Sequence, residues 1–226
     1  MTTRNALVLL TDGRFPSGAH PHSAGIEVAV ARRAVTDLDD LARFLLGRVH
    51  TAGLVDAAFV AWIVRREPSE AALPWDDVDA EVSARIASPA QRATSRRLGR
   101  QLARVAARVW PSVALATVVA TNDGPHHVVA LGAAAASAGL PVADAAFVAA
   151  HGAVTVPAYA AMRLLGLDPV ALQALLADLG PAVDAVVDEA VQCAGDPLDA
   201  LPCLAAPASE LAAEEQAERS PRLFAS

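Results

Sequence analysis

Apolar positions recur at helical spacing along most of the chain. Leu38, Leu41, Leu45 and Val49 follow one another at intervals of three or four residues, which is typical of the buried stripe of an amphipathic helix. Residues that start and stop helices flank such stretches. Ser88-Pro89, for example, provides a cap and a proline at the first helical position of a run that Pro111 ends.

The same reasoning predicts eight to nine helices with short connections, and no internal repeat is present. The predicted helix starts lie near Ser23, Thr36, Gly53, Ser88, Pro141, Asp168 and Pro181. Residues 67–80 are polar and broken by prolines, so they predict a surface connection. Residues 113–120 are rich enough in β-branched side chains for a strand, and the pattern alone does not decide between strand and helix. The sequence therefore predicts an all-α, bundle-like domain over residues 1–206.

The C-terminal residues 207–226 have a different character. Residues 209–219 have strong helix propensity but almost no apolar face, and a helix that is polar all round packs poorly on a core. The chain then finishes with an apolar pair, Leu223-Phe224, beside Arg222. Two interpretations stay open: a tail that packs on its own domain or frays, and a segment that becomes ordered when a partner supplies apolar surface.

Composition narrows the possible functions. Hydrophobic residues make up 54% of the 226 residues and charged residues 19%, which excludes a disordered chain. With 4% aromatic residues the core must consist mainly of Ala, Val and Leu. The net charge of −7 argues against nucleic-acid binding, which needs a basic surface. All basic residues are arginine, so lysine-dependent chemistry is excluded.

We expect a cytoplasmic protein that does not bind membranes. The apolar run at residues 7–10 is too short for the core of a signal peptide. Residues 125–165 are apolar, but glycines and prolines interrupt them, whereas a membrane-spanning helix needs about 20 predominantly apolar residues in succession. This stretch is better explained as two or three buried helices. Cys193 and Cys203 are too few for a disulfide framework.

No catalytic motif is present. The chain has no glycine-rich phosphate loop, no Gly-x-Ser-x-Gly and no His-Glu-x-x-His, which favours a protein without enzymatic activity. Imidazoles occur in two pairs, His20 with His22 and His126 with His127, and neutral imidazole binds nickel, zinc and copper. Neither pair has an acid or thiol at ligand spacing. A helical metal-binding enzyme that uses His20, His22 and His127 is one alternative function.

An arginine repeat is the most specific charge pattern. Arginines recur every fourth residue between positions 92 and 108, namely Arg92, Arg96, Arg100, Arg104 and Arg108. This spacing forms a ridge along one side of a helix. The ridge is either a solvated face with intramolecular pairs or an interface to an acidic partner, because guanidinium groups bind carboxylates in bidentate fashion. A general helical interaction module that uses this ridge is a second alternative function.

Motifs at both ends of the chain resemble the UreF family of urease accessory proteins. The N-terminal signature of that family resembles Asp12-x-x-Phe15-Pro16-x-Gly18-x-x-x-His22-Ser23-x-Gly25-Ile26-Glu27, and its C-terminal ending is similar to Arg222-Leu223-Phe224-x-Ser226. Between them, Gly99-Arg100, His127 followed by Gly132, and Arg163-Leu164 with Gln173 occur in the family's order. The family usually has an aromatic residue at the position of His20.

The resemblance implies an all-helical homodimer with no catalytic site and no directly bound cofactor. Proteins of this family form a complex with UreD, called UreH in some organisms, and recruit the GTPase UreG. The assembly delivers nickel to apo-urease, so nickel and GTP act through the partner proteins. The family's C-terminal segment becomes ordered on UreD/UreH and helps to build the surface that binds UreG.

The resemblance also assigns partner-binding residues. It implies that the chain end binds partners through Arg222, Leu223, Phe224 and Ser226. It implies that the N-terminal motif shapes a turn and a helix start near an interface through Pro16, Gly18, His22, Ser23 and Glu27. From the arginine ridge, Arg96 and Arg100 are added to the predicted partner-binding residues.

Overall fold

The computed structural model describes residues 2–16, 23–67, 73–121, 123–204 and 207–218. The helices are α1 (Thr3–Thr11), α2 (Ile26–Ala31), α3 (Leu38–Arg48), α4 (Leu54–Arg66), α5 (Trp75–Ala84), α6 (Pro89–Val109), α7 (Val113–Val119), α8 (His127–Ser137), α9 (Val142–Leu165), α10 (Pro169–Asp178), α11 (Gly180–Cys193) and α12 (Pro207–Glu218). Across these ranges no β-strand occurs, which confirms the predicted all-α fold.

Helix α4 forms the centre of the fold. Its residues 57–64 are buried on every side, because α8, α9 and α11 surround it. The facing helices are rich in alanine and glycine, which lets the backbones approach closely. At Gly132 of α8 a Cβ atom would lie 2.6 Å from Cδ1 of Ile63. The core is therefore filled by small and branched aliphatic side chains, as the composition requires.

Helices α3 and α4 form one continuous helical segment, Leu38–Arg66. A π-helical segment, Val49–Gly53, joins them. The Nε of Arg48 donates a hydrogen bond to the carbonyl of Ala153 in α9, 3.1 Å away. Burial raises the pKa of the nearby Asp56 carboxyl to about 6, and the positive charge of Arg48 opposes that rise. The join thus brings the Arg48 guanidinium against α9.

Within the described ranges, two helices are long and apolar enough, by length and composition, to cross a membrane, or three if the bent pair α10 and α11 is counted as one span. The two are Leu38–Arg66 and Val142–Leu165. In the structure 50% and 61% of their most apolar windows are buried inside the fold, where α4 and α9 pack on each other. Many of their apolar side chains thus form part of the core. The absence of membrane binding stays a prediction.

Side-chain caps start four of the described helices, α3, α6, α7 and α10. Ser88 caps α6 as predicted, since its Oγ accepts a hydrogen bond from the Gln91 amide at 3.1 Å. The cap of α3 is Asp37, one residue after the helix start predicted near Thr36. Asp37 accepts from the Asp40 amide at 2.9 Å, and Asp40 accepts from the Thr36 amide at 2.9 Å.

One segment differs from the sequence-based expectation, and the structure decides a second one that the sequence left open between strand and helix. The predicted surface connection at residues 67–80 contains the start of α5, whose Trp75, Val78 and Val82 are buried. Residues 113–119 form a helix rather than a strand, because Ser112 caps it by accepting from the Leu115 amide at 3.1 Å. Helix α5 is one reason why the helices outnumber the eight or nine predicted.

Two arginines hold the segment that follows α11. Arg66 donates to the carbonyls of Ala194, Gly195 and Asp196. Arg85 donates to the carbonyls of Asp199, Leu201 and Pro202. The path of residues 194–202 is therefore fixed by guanidinium groups at the ends of α4 and α5.

Candidate interaction surface

Helix α6 packs so closely on the body that its inner face needs a glycine. A Cβ atom at Gly99 would lie 2.1 Å from the Pro125 carbonyl oxygen and 2.8 Å from the carbonyl carbon of His126. Leu102 and Ala106 continue the same buried face. The loop before α8 thus sits directly against α6, and this contact fixes where the outer face of α6 points.

A polar cluster around the buried His126 side chain stabilises this contact. It consists of Asp79, Ser83, Ser95, Arg96 and His126, and we call it the His126 cluster. The ring nitrogens of His126 lie 2.8 Å from Ser83 Oγ and 3.0 Å from Ser95 Oγ. The His126 amide donates to Asp79 at 2.7 Å, and the other oxygen of Asp79 pairs with Arg96 at 2.7 Å. The cluster links α5, α6 and the start of α8.

The histidines of this region are neutral near pH 7. Burial lowers the pKa of His126 to about 4; the charge of Asp79 opposes this shift, and those of Arg96 and Arg92 add to it. Burial also lowers the pKa of His127 to about 4. Over the described residues, no group of three or more His, Cys, Asp or Glu side chains is placed to hold a metal ion. His20 and His22 lie outside the described residues.

The arginine ridge divides into an inner and an outer part. Arg92 donates to the carbonyls of Ile86 and Ala87, and Arg96 belongs to the His126 cluster and also donates to the Gly124 carbonyl at 2.6 Å. These are the intramolecular pairs expected if the ridge is a self-contained face. That Arg96 binds a partner stays a prediction.

The outer part, which we call the arginine stripe, is exposed. It consists of Arg97, Arg100, Arg104 and Arg108. Arg100 donates to the Asp123 carbonyl at 2.7 Å, and Arg104 donates to the Arg100 carbonyl. Arg97 and Arg108 form no hydrogen bond or ion pair within the described part of the chain. Because α6 carries six arginines and no acid, the stripe can receive carboxylates from another molecule.

The N-terminal turn lies along one edge of α6. Nε2 of Gln101 donates to the Pro16 carbonyl at 3.2 Å, and the ring of Phe15 stacks on Trp110 with 5.8 Å between centroids. Pro16 itself is exposed. Two groups of predicted partner-binding residues, the ridge and the N-terminal motif, are thus neighbours. Gly18 falls outside the described residues.

The second half of the N-terminal motif starts α2 later than predicted. Gly25, rather than Ser23, occupies the cap position, with a φ of 88° that favours glycine. Ser23 is buried, and its carbonyl accepts from the Ile26 amide at 3.1 Å. Glu27 lies in the first turn of α2, where a carboxylate favours the helix.

Helix α12 covers the other end of α6. The carboxylate of Glu214 accepts hydrogen bonds from the Ser88 hydroxyl and, at 2.9 Å, from the Ala90 amide. These two hydrogen bonds, with that of Ser88 first, lower the pKa of Glu214. Glu215 pairs with Arg32 beyond the end of α2. Residues 207–218 thus lie against α2 and α6, and the ordering of the tail on a partner stays a prediction.

The predicted contacts at the chain end cannot be placed. Arg222, Leu223, Phe224 and Ser226 lie outside the described residues, so their roles stay predictions. The division into a domain at 1–206 and a tail at 207–226 also stays a prediction.

Sequence reasoning missed three residues that hold these parts together, namely Gln101, Asp79 and Glu214. One sequence feature could have indicated the contact of Glu214 with α6. Residues 210–218 are acidic, whereas α6 contains arginines and no acid. The N-terminal turn and the C-terminal helix both pack on α6, and α6 itself carries the arginine stripe. Such a surface is suited to binding another protein, and its chemistry is that of guanidinium and carboxylate recognition.

Known proteins named UreF are similar to this chain over most or all of its length. The family model for UreF matches residues 35–180. The chain is 40% identical over 226 residues to the urease accessory protein UreF of Mycobacterium sp. (strain JLS), with both chains covered completely. It is 38% identical to the protein of that name from Mycolicibacterium vanbaalenii, again over the whole of both chains. It is 37% identical over 201 residues to the urease accessory protein UreF of Mycobacterium tuberculosis (strain ATCC 25618 / H37Rv). That alignment covers 89% of this chain and 92% of the relative.

Proposed function

The chain belongs to the UreF family of urease accessory proteins, and from that membership we propose that it is a scaffold for nickel insertion into apo-urease. Its relatives are named accessory proteins, which agrees with the prediction of a protein without enzymatic activity. In the proposal it bridges UreD, or UreH, and the GTPase UreG. Nickel is the cargo of the assembly, and GTP is bound by UreG.

The observation that carries the proposal is the arrangement on α6. The N-terminal turn reaches α6 through Gln101 and Trp110, the arginine stripe faces outward, and α12 lies over the first turn. A scaffold must hold partners in a fixed relation, and the His126 cluster with the close contact at Gly99 fixes α6 on the body. The support is therefore a rigid element against which the N-terminal turn and α12 both pack.

The stripe supports a partner with acidic residues. Four exposed guanidinium groups on an otherwise acidic chain raise the local positive potential, which speeds association with an acidic surface and selects its orientation. We assign this contact to a subunit of the maturation complex. The exposed Pro16 beside α6 extends the same contact.

The proposal includes a homodimer in the cytoplasm, as the family resemblance implies. Light scattering on the purified chain tests the dimer, and a mass equal to one chain over the micromolar range would contradict it.

Co-purification with UreD or UreH and UreG tests the scaffold. The double variant Arg104→Glu, Arg108→Glu should reduce recovery of the complex at least about tenfold, because each reversal turns an attraction into a repulsion. Arg65→Glu is the matched control, since Arg65 is exposed on α4 away from α6. Both variants should keep the melting temperature of the unchanged chain.

Deletion of residues 220–226 should abolish the complex without unfolding the domain, which circular dichroism checks. Failure of the unchanged chain to bind either partner would overturn the proposal. Fully active urease in cells that lack this chain would overturn it as well.

A further inference from the structure

The outer face of α7 is apolar and carries no charge. Between Arg108 and Asp123 the sequence contains no charged residue. Val113 is 82% exposed, and Val109 and Val119 are each 41% exposed. We call the exposed apolar residues of this region the α7 patch; they are Val109, Pro111, Val113, Ala116, Val119 and Ala120. Exposed apolar side chains that are gathered on one short element, rather than scattered singly, are typical of a binding surface.

The hydroxyl groups of this region do not make its outer face polar. Those of Thr117 and Thr121 donate to backbone carbonyls three or four residues earlier, at 3.0 and 2.9 Å. The hydroxyl of Ser112 lies 2.7 Å from that of Ser137 and accepts a hydrogen bond from the Leu115 amide. These groups are satisfied within the fold, so water at the α7 patch meets mainly hydrocarbon. The hydrophobic effect therefore favours covering the patch.

The arginine stripe continues into the α7 patch. Arg108 and Val109 are both exposed in the last turn of α6. Pro111 and Val113 are exposed directly after the buried Trp110. Cationic and apolar groups thus follow one another on the surface from α6 to α7. A partner that covers both must bring carboxylates and apolar side chains together.

The spacing of the stripe indicates the shape of that partner. Arg100, Arg104 and Arg108 lie four residues apart, so they repeat about every 6 Å along α6. Carboxylates at every fourth residue of a second helix repeat at the same distance. Arg100 is held in place, since a Cβ atom at Gly124 would lie 2.1 Å from its Cγ. Arg100 and Arg104 each use one nitrogen on a backbone carbonyl, which leaves the other N–H groups of the guanidinium for carboxylates.

We propose that the arginine stripe and the α7 patch together bind an acidic amphipathic helix of a subunit of the maturation complex. Carboxylates of that helix pair with the stripe, and its apolar residues cover the α7 patch. The proposal rests on the proposed function and adds to it the class of element that the partner contributes. The stripe spans about 17 Å from Arg97 to Arg108, so a helix of about 18 residues is long enough to contact both α6 and α7.

A peptide titration of the full chain tests this surface without any urease protein. The probe is a dye-labelled helical peptide of about 18 residues, with glutamate at every fourth position and leucines at one end, and binding is followed by fluorescence anisotropy. Val113→Ser should weaken binding about three- to tenfold, and Val113→Leu should strengthen it about twofold, because apolar area on α7 is lost or gained. Val170 on α10 is the matched control, since it is 76% exposed. Val170→Ser and Val170→Leu should leave the affinity unchanged.

The charges of the peptide should matter as much as its apolar residues. A peptide with lysine in place of glutamate should bind at least about tenfold more weakly. Raising NaCl from about 0.05 to 0.5 M should weaken binding of the acidic peptide about tenfold, and by less in Arg104→Gln, Arg108→Gln. Equal binding of the acidic and the basic peptide would overturn the proposal. Equal binding of the acidic peptide to Val113→Ser and to the unchanged chain would overturn it as well.

Titrations with purified UreD or UreH, and separately with UreG, identify the subunit that contributes the helix. With that subunit, Val113→Ser should again bind more weakly than Val170→Ser. If a subunit binds Val113→Ser as tightly as the unchanged chain but loses affinity in Arg104→Gln, Arg108→Gln, the proposed function stands and the proposal for α7 is overturned. If no subunit binds any form of the chain, the proposed function fails, whereas the peptide titration still decides what the surface binds.

Two other occupants of the surface would give different results. Vesicles of phosphatidylglycerol that bind the unchanged chain but not Val113→Ser would show that a membrane surface covers the α7 patch. A dimer that Val113→Ser converts to a monomer, measured by light scattering, would show that a second copy of the chain covers it. Either result would overturn the proposal of an acidic helix.

Discussion

A single methyl group at Gly99 should separate α6 from the body. The Cβ atom of Gly99→Ala would lie 2.1 Å from the Pro125 carbonyl oxygen, so the backbones must move apart by about 1 Å before any normal contact is possible. Both sides of this contact are backbone, and no side-chain rotation relieves it. The same movement lengthens the hydrogen bonds of His126 and the bond from Arg96 to Gly124.

The expected cost combines overpacking and lost hydrogen bonds. Overpacking a core contact costs about 1–3 kcal/mol, and each weakened hydrogen bond adds about 1 kcal/mol. The better helix propensity of alanine returns about 1 kcal/mol, so a net loss of about 2–4 kcal/mol is expected. In a chain of this size that corresponds to a fall in melting temperature of roughly 5–15 °C.

Differential scanning calorimetry measures this fall, and the chain offers a matched control. Gly47 also lies in a helix, but a Cβ atom there would meet no atom within 4 Å. Gly47→Ala should therefore raise the melting temperature by a few degrees, since only helix propensity changes. If Gly99→Ala melted at or above Gly47→Ala, the close contact between α6 and the loop before α8 would be refuted.

Further predictions concern the His126 cluster. Because folding lowers the pKa of His126 and His127 to about 4 from an ordinary 6.5, the unfolded chain binds more protons between these values, and stability falls as the pH drops below 6.5. Between pH 7.5 and 5.5 each histidine should lower the free energy of unfolding, measured with urea, by about 1.3 kcal/mol. The variant His126→Gln should lose only about half as much stability over this range as the unchanged chain. An unchanged pH dependence in the variant would contradict a neutral, buried imidazole at His126. A double-mutant cycle of Asp79→Asn and Arg96→Met should give a coupling energy of about 1–3 kcal/mol, above that of an exposed pair. A value near zero would show that this ion pair is not part of the cluster.

The sequence predicted those features of the fold that depend on neighbouring residues. The start of α6 could be predicted because a serine cap and a following proline are local signals. Helix α5 was missed because Trp75, Val78 and Val82, although correctly spaced, lie among four acids after Pro74. The π-helical join at Val49–Gly53 depends on how α3 and α4 pack against α9, and no local residue pattern specifies it.

The candidate surface was predicted in parts but not as a whole. The arginine spacing and the N-terminal motif were both visible, yet their adjacency depends on the contact of Gln101 with Pro16, which lie 85 residues apart. The division of the ridge into inner and outer arginines follows from Asp79 and the loop at Gly124, which sequence spacing does not relate to α6. Contacts between residues that are far apart in the sequence therefore determine which arginines of α6 are exposed and can bind a partner.

Chemical footprinting of the arginines tests the central claim, that the outer face of α6 is the partner-binding surface. Phenylglyoxal modifies exposed guanidinium groups, and in this chain arginine provides every side-chain cation apart from histidine. In the complex with UreD or UreH, mass spectrometry should show Arg97, Arg104 and Arg108 protected, while Arg43 and Arg65 react as in the free chain. Equal reactivity of the stripe in free and bound protein, with protection elsewhere, would contradict the account.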